Sequence, residues 1–221
     1  MITSLRFRLV GPQQSWGTRS RFDMRDTEMA PTKSGVVGLI AAALGLSRDA
    51  DISHLAQLRM GTRTDRVGTW AKDYHTVLDT VSSEGKATRG AIVSSRAYLA
   101  DAAFLAAVES TDEALLREIQ AALLAPHWPL ALGRRAFPPS LPVAFGGQHD
   151  PTPIVEGPLE EALSSCPPVV EVPDDALFLY HLEDASGSQE WFDQPVSNFR
   201  LRRFRARRVK VVEAQRGLAW S

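Results

Sequence analysis

Pro31-Thr32-Lys33-Ser34-Gly35-Val36-Val37-Gly38-Leu39-Ile40-Ala41-Ala42-Ala43-Leu44-Gly45 reads as a loop feeding a closely packed helix. Ser34 suits the N-cap, and Gly45 suits a left-handed stop. Val36, Ile40, Ala43 and Leu44 share one face at helical spacing. Gly35, Gly38, Ala41 and Ala42 would let a neighbouring sheet approach; each helical glycine costs about 1 kcal/mol against alanine, which close approach offsets. The free N–H groups and partial positive charge of a helix start, with Lys33 and the Ser34 hydroxyl beside them, make a seat for a phosphate. The plainer reading is a solvated lysine next to an ordinary cap. A nucleoside-triphosphate loop is excluded, because Pro31-Thr32 stands where the glycine-rich turn would be.

Working outward, Leu5, Phe7 and Leu9 alternate with Arg6 and Arg8, predicting a half-buried strand over 2–10 and not a signal peptide. Residues 11–30 form a long polar loop carrying Trp16, Arg19, Arg21, Phe22 and Arg25. Residues 54–60 read as a short strand-like piece. Over 69–96, two strand-like arms flank the polar tip Ser82-Ser83-Glu84-Gly85-Lys86, predicting a long hairpin that projects from the domain. A buried strand over 98–108 follows. Ser110 and Glu113 form a capping box that opens a helix with Leu116, Ile119 and Leu123 on one face; Pro126 ends it. Residues 128–132 then read as the last strand, and Gly133-Arg134-Arg135 follows.

That order is the split βαβ plan of an α+β, ferredoxin-like (RNA-recognition-like) βαββαβ domain. Pro138, Pro139 and Pro142 mark its end, giving a first domain over 1–139. Residues 140–221 read as a small β-rich region, with strand-like pieces at 169–172, 177–182 and 207–212 and a loop over 151–158.

Charge is segregated although the net charge is only −1. Residues 140–195 hold 11 acidic side chains and no Lys or Arg, whereas residues 196–216 hold 8 basic against one acidic. This points to one surface for a polyanion and another for solvent or a basic protein, unless the two neutralise each other within the fold. Cys166 is the only cysteine, so no internal disulfide forms, and a reducing cytoplasm fits. No uncharged, proline-free run is long enough to cross a bilayer.

Interleaved arginines and aromatics suit the 11–30 loop to grip a nucleic-acid backbone and stack on a base; the alternative is an ordinary loop with Trp16 tucked into the core. Arg134 and Arg135 either clamp phosphates or pair with a carboxylate at the sheet edge. The run from Phe199 to Arg208 presents Arg200, Arg202, Arg203, Arg205, Arg207 and Arg208, more consistent with a basic face for RNA or an anionic partner than with a solvated one. Lys72, Tyr74 and His75 are the residue types that acid–base RNA cleavage needs, but neighbours on a strand point to opposite faces. His54, His127, His149 and His181 lack metal-ligand spacing, so neither a metal nor a cofactor is expected.

Five stretches stand together in one order: Leu9-Val10-Gly11-Pro12-Gln13-Gln14-Ser15-Trp16-Gly17, Pro31-Thr32-Lys33-Ser34-Gly35, Asp73-Tyr74-His75-Thr76-Val77, Arg96-Ala97-Tyr98-Leu99-Ala100-Asp101-Ala102-Ala103-Phe104 and Leu132-Gly133-Arg134-Arg135. In them the chain resembles the CasD subunits of Cascade, the type I-E CRISPR surveillance complex, closely over 2–140 and loosely beyond. The resemblance implies a ferredoxin-like domain with a hairpin thumb over about 69–96. It also implies a non-catalytic subunit that caps one end of the complex and holds the 5′ handle of the CRISPR RNA in antiviral defence. The implied partners are the handle, the CasC backbone and the large CasA subunit, with target DNA reached indirectly. Carried onto this chain, the RNA-binding candidates are Trp16, Arg19, Arg21, Lys33, Ser34, Tyr74, His75, Lys86, Arg89, Arg134 and Arg135. The strip from Arg200 to Lys210 has no counterpart in the resemblance, and the aromatic signatures of an ordinary RNA-recognition sheet are missing. Type I-C relatives cut precursor CRISPR RNA, which keeps a metal-independent endoribonuclease as the alternative.

Overall fold

The computed structural model describes residues 1–18, 24–81, 85 and 91–215. In chain order the elements are β1 (Thr3–Val10), β2 (Gln13–Gln14), β3 (Met24–Arg25), α1 (Lys33–Ala43), α2 (Ser53–Ala56), β4 (Arg59–Arg66), β5 (Thr69–Val77), β6 (Ile92–Ala100), β7 (Ala103–Ser110), α3 (Glu113–Leu124), β8 (Ile154–Glu156), α4 (Leu159–Ser165), β9 (Phe178–Glu183), β10 (Gln189–Pro195) and β11 (Phe204–Ala214).

Seven strands form one antiparallel sheet in the order β10-β11-β9-β4-β7-β1-β8. Strand alternation sends Phe104, Ala106 and Val108 of β7 to one face and Leu105 and Ala107 to the other. The first face packs on Val36, Ile40 and Ala43 of α1 and Leu116, Ile119 and Leu123 of α3. The second packs on Leu159 and Leu163 of α4. Both faces are covered, so the protein is a three-layer mixed α/β structure. Residues 140–221, expected as a small β-rich region, supply β8, β9, β10 and β11 to this same sheet.

The second sheet is the predicted hairpin. β5 pairs with β6 through nine residue pairs, from Thr69↔Ala100 to Val77↔Ile92. β5 is exposed along nearly its whole length. The free edge of β6 takes β2 at Leu99 and Ala100 and β3, in parallel, at Ser95 and Arg96.

Helix α1 is where the opening stretch placed it, but its cap is Thr32, whose Oγ1 accepts from the Gly35 N–H at 3.3 Å; Ser34 lies inside the helix. At the other end Gly45 adopts φ 74°, its N–H reaching the Ala42 carbonyl while that of Leu46 reaches Ala41. This paired closure needs a left-handed residue and explains the glycine. The close approach at Gly35 is to the Trp16 ring, 2.8 Å from where a Cβ would stand, and not to a sheet.

Several expectations are corrected. Residues 54–60 are the end of a helical turn and the start of β4. The run 98–108 is broken at Asp101 (φ 56°) into β6 and β7. Helix α3 is capped by Asp112, whose carboxylate accepts from Leu115 N–H at 3.1 Å, and not by a Ser110–Glu113 box. Residues 128–132 are not a strand: Pro129 removes a ladder donor, and the N–H groups of His127 and Trp128 bond the carbonyls of Ala43 and Ala42 at the end of α1. The position next to β1 is filled instead by β8, inside the stretch 151–158 read as a loop. Residues 169–172, hemmed by Pro167, Pro168 and Pro173, form no strand, and β10 was not foreseen.

Candidate nucleic-acid interface

The front of α1 is closed. Lys33 is 1% exposed, and its ammonium bonds both oxygens of Glu183 at 2.8 and 2.9 Å. Burial lowers the Lys33 pKa, and Glu183 opposes that shift. The anion seat at the helix start is occupied by the protein's own Asp193, which accepts from the Lys33 backbone N–H at 2.7 Å. Asp193 also takes two bonds from Arg207, at 2.7 and 2.9 Å. Ser34 is half-buried, its hydroxyl turned toward Thr32. Trp16 is 1% exposed, and its indole N–H donates to Gln14 Oε1 at 3.2 Å. Trp16 and Lys33 are therefore corrected from RNA contacts to core residues: neither offers a surface to a phosphate or a base.

The root of the β5–β6 arm is different. Directly opposed residues of an antiparallel pair share a face, so Asp73, His75, Arg96 and Tyr98 lie on one side and Trp70, Lys72 and Tyr74 on the other. Tyr74 and His75 thus point apart, as strand geometry required. The parallel pairing of β3 sets Arg25 beside Arg96. Arg134 arrives from the turn after Leu132, where Gly133 holds φ 92° and a Cβ would clash with the Ser15 carbonyl at 1.8 Å. Its Nη2 donates to the Ala97 carbonyl at 2.7 Å, and the guanidinium lies 5.4 Å from the centre of the Phe137 ring. Phe137 in turn packs on Tyr98 at 5.8 Å.

Three guanidinium groups therefore converge. Burial lowers the Arg134 pKa, the charge of Arg96 lowers it further, and Arg25 adds to this; Asp73 opposes. Arginines do not respond by losing a proton, so the cluster keeps its positive charge. Arg134 Nη1 is buried without a hydrogen-bond acceptor. None of the three arginines makes an ion pair with a described residue. An orphaned donor in a cluster of like charges fits a phosphate oxygen. Tyr74 is 72% and Trp70 53% exposed on the arm's other face, where a base can stack. Arg135 is exposed beside the cluster.

Arg25 and Arg96 are the residues sequence reasoning left out of the candidate set. The signal for Arg96 was its place on a strand opposite Asp73; nothing local announces that a two-residue strand will lay Arg25 beside it. Arg19, Arg21, Lys86 and Arg89 lie outside the described residues. In the distal strip, Arg200 pairs with exposed Asp49 at 2.9 Å, Arg207 is internal, and Arg202, Arg203, Arg205 and Arg208 are exposed.

The molecule is thus a mixed α/β protein with antiparallel sheets and an arm rooted in a cationic cluster. Residues 4–212 match the family described as CRISPR-associated protein (Cas_Cas5), and the chain belongs to that family. The CRISPR system Cascade subunit CasD of Escherichia coli (strain K12) is 37% identical over 161 residues, 66% of this chain and 71% of that one. A solved structure described as a crystal structure of Cas protein superposes with a TM-score of 0.78 at 42% identity, covering 96% of this chain and 95% of the other. A second, described as a CRISPR RNA-guided surveillance complex, gives 0.77 at 33% identity over 96% and 90%. No helix among the described residues is long and apolar enough to cross a membrane.

Proposed function

We propose that this chain is a non-catalytic subunit of a Cascade-type, CRISPR RNA-guided surveillance complex that grips the 5′ handle of the guide and caps one end of the particle. Family membership supports the setting. The observation that carries the grip is the Arg25–Arg96–Arg134 cluster at the arm's root, with the unsatisfied Arg134 Nη1 inside it. Phosphates of a hooked single strand would sit there, with bases against Tyr74 or Trp70. Arg135, exposed and next in the chain to Arg134, would extend the track, and the partners are the handle, the CasC backbone and CasA, with target DNA reached through them.

We read the order β4-β7-β1-β8 as a ferredoxin-like unit whose fourth strand has shrunk to three residues. On this reading the 1–139 domain borrows β8 from the C-terminal 140–221 region. That region then extends the sheet with β9, β10 and β11.

The alternative, a metal-independent endoribonuclease, has one observation in its favour: His75 Nδ1 stands 3.5 Å from Asp73 on the face that carries Arg96. Tyr74, the obvious second proton-transfer group, is on the other face. Filter binding of the full chain to a labelled handle RNA separates the readings. Arg25→Ala with Arg96→Ala should weaken binding about tenfold or more, with the RNA recovered intact. Undiminished affinity overturns the handle reading, and a cleavage product that disappears in His75→Ala establishes the enzyme.

A further inference from the structure

We infer that the turn and strand start at 202–205 form a second cationic surface, separate from the arm, which takes the phosphate backbone of double-stranded nucleic acid. The separation follows from register. The arm leaves the main sheet after Arg66, at the end of β4. β9 reaches the opposite end of β4, where Gly61 pairs Leu182. β11 runs past that end: its last pair with β9 is Val209↔Glu183, and from Arg208 back to Phe204 it pairs only with β10. Residues 202–205 therefore stand beyond the sheet end opposite the arm's root.

The surface is pinned from within. Arg207 is held by Asp193, and Val209 is fully buried. The loop 196–203 is bonded to the α1–α2 segment through Ser197 O to Ile52 N at 2.8 Å and Arg200 N to Arg48 O at 3.0 Å. Phe199 packs over Gly38 of α1. The Asn198 side chain accepts from the Leu201 N–H at 3.1 Å. Arg202 follows at φ 48°, a left-handed conformation that a non-glycine residue adopts at a cost.

Local carboxylates use up part of the strip. Arg200 is paired with Asp49, Arg207 with Asp193, and Arg208 lies opposite Glu190 with a bond to the Gly187 carbonyl. At the 202–205 end, Arg202, Arg203 and Arg205 are left over, all exposed and without an ion pair or hydrogen bond to described residues. Arg203 and Arg205 are two residues apart, about 6.8 Å along an extended chain, close to the spacing of successive backbone phosphates. The chemistry differs from that of the arm. There, Trp70 and Tyr74 are 53% and 72% exposed; here, the exposed aromatics are the phenyl rings of Phe192 and Phe204, 42% and 38% exposed, and the charge is all guanidinium. Dense guanidinium charge with less exposed aromatic surface than the arm suits a duplex, whose bases are already stacked and whose outside is phosphate.

The test measures fluorescence anisotropy of the full chain with a 24-base-pair DNA duplex of arbitrary sequence, with single-stranded handle RNA, and with labelled poly-glutamate, across a salt series. Replacing Arg202, Arg203 and Arg205 together by Ala should weaken duplex binding at least about tenfold. It should also reduce the slope of log K against log salt by about 2–3, at roughly 0.9 per phosphate. Handle RNA binding and the thermal midpoint should stay as they were. Lysine at all three positions should keep most of the duplex affinity, since backbone phosphates ask for charge more than for fork geometry. Unchanged duplex affinity overturns the inference. So does equal loss for duplex and single strand, and so does a loss confined to poly-glutamate, which would mark an acidic protein as the partner.

Discussion

The front of α1 and the root of the arm carry the same kind of side chain to opposite ends. At α1, Lys33 and Arg207 are buried and enclosed by Glu183 and Asp193. At the arm, Arg25, Arg96 and Arg134 repel one another with Asp73 as the one opposing charge in the group. The first set is satisfied and holds β9, β10 and β11 against the helix. The second has no ion pair among the described residues and keeps Arg134 Nη1 without an acceptor. A cation identifies a binding surface only when its counter-charge is missing from the fold.

The sharpest way to break this division is to remove an internal cation. Arg63 is fully buried, bonded to Asp65 at 2.6 and 2.9 Å and to the carbonyls of Leu163, Cys166 and Pro167. Arg63→Ala leaves Asp65 and three carbonyls stranded and should cost about 3–5 kcal/mol. Urea unfolding followed by circular dichroism reads this as a lower midpoint.

Next in size is a pH effect at His181, beside Arg207. Burial, then the charge of Arg207, lower its pKa from 6.5 to about 4. Well above pH 6.5 it is neutral in both states and makes no pH-dependent contribution to stability. As pH falls toward 4 the unfolded chain gains a proton that the folded chain refuses, so stability drops, by at most about 3 kcal/mol. His181→Gln should flatten the urea midpoint between pH 6.5 and 4 relative to the parent. Parallel curves would show that His181 takes up its proton as readily folded as unfolded.

Lys33→Met tests the front of α1 directly. Glu183 keeps 23% of its side chain in solvent, so about 2 kcal/mol should be lost. Handle affinity per folded molecule should not change, and a tenfold loss there would erase the contrast with the arm. The smallest effect belongs to the arm itself. Arg96→Ala should leave the unfolding midpoint in place, weaken handle RNA binding by about 1.4 kcal/mol, or tenfold, and reduce the salt slope by about 0.7.

Residue pattern revealed the elements whose signals are local. The hairpin was legible because two extended runs flank a glycine-containing tip, and α1 because its apolar spacing ends at Gly45. β10 was hidden because the residues it buries are Asp193, held by Arg207, and Pro195 at its end, which erases the usual apolar alternation. The site was less legible than the fold for the same reason. Lys33 and Glu183 are 150 residues apart, and no local pattern says that they meet. Arg134 stood out after its glycine, but Arg25 gains its meaning only once β3 is laid along β6.

Both margins of the main sheet are blunted. β8 offers three residues between Pro153 and Pro158, and β10 is bulged between Trp191 and Gln194 before stopping at Pro195. Neither presents the flat row of open backbone groups that lets a foreign strand add on. The one long open edge among the described strands is β5 in the arm, so a foreign strand or a partner segment adding to the sheet edge would meet the arm and not the main sheet.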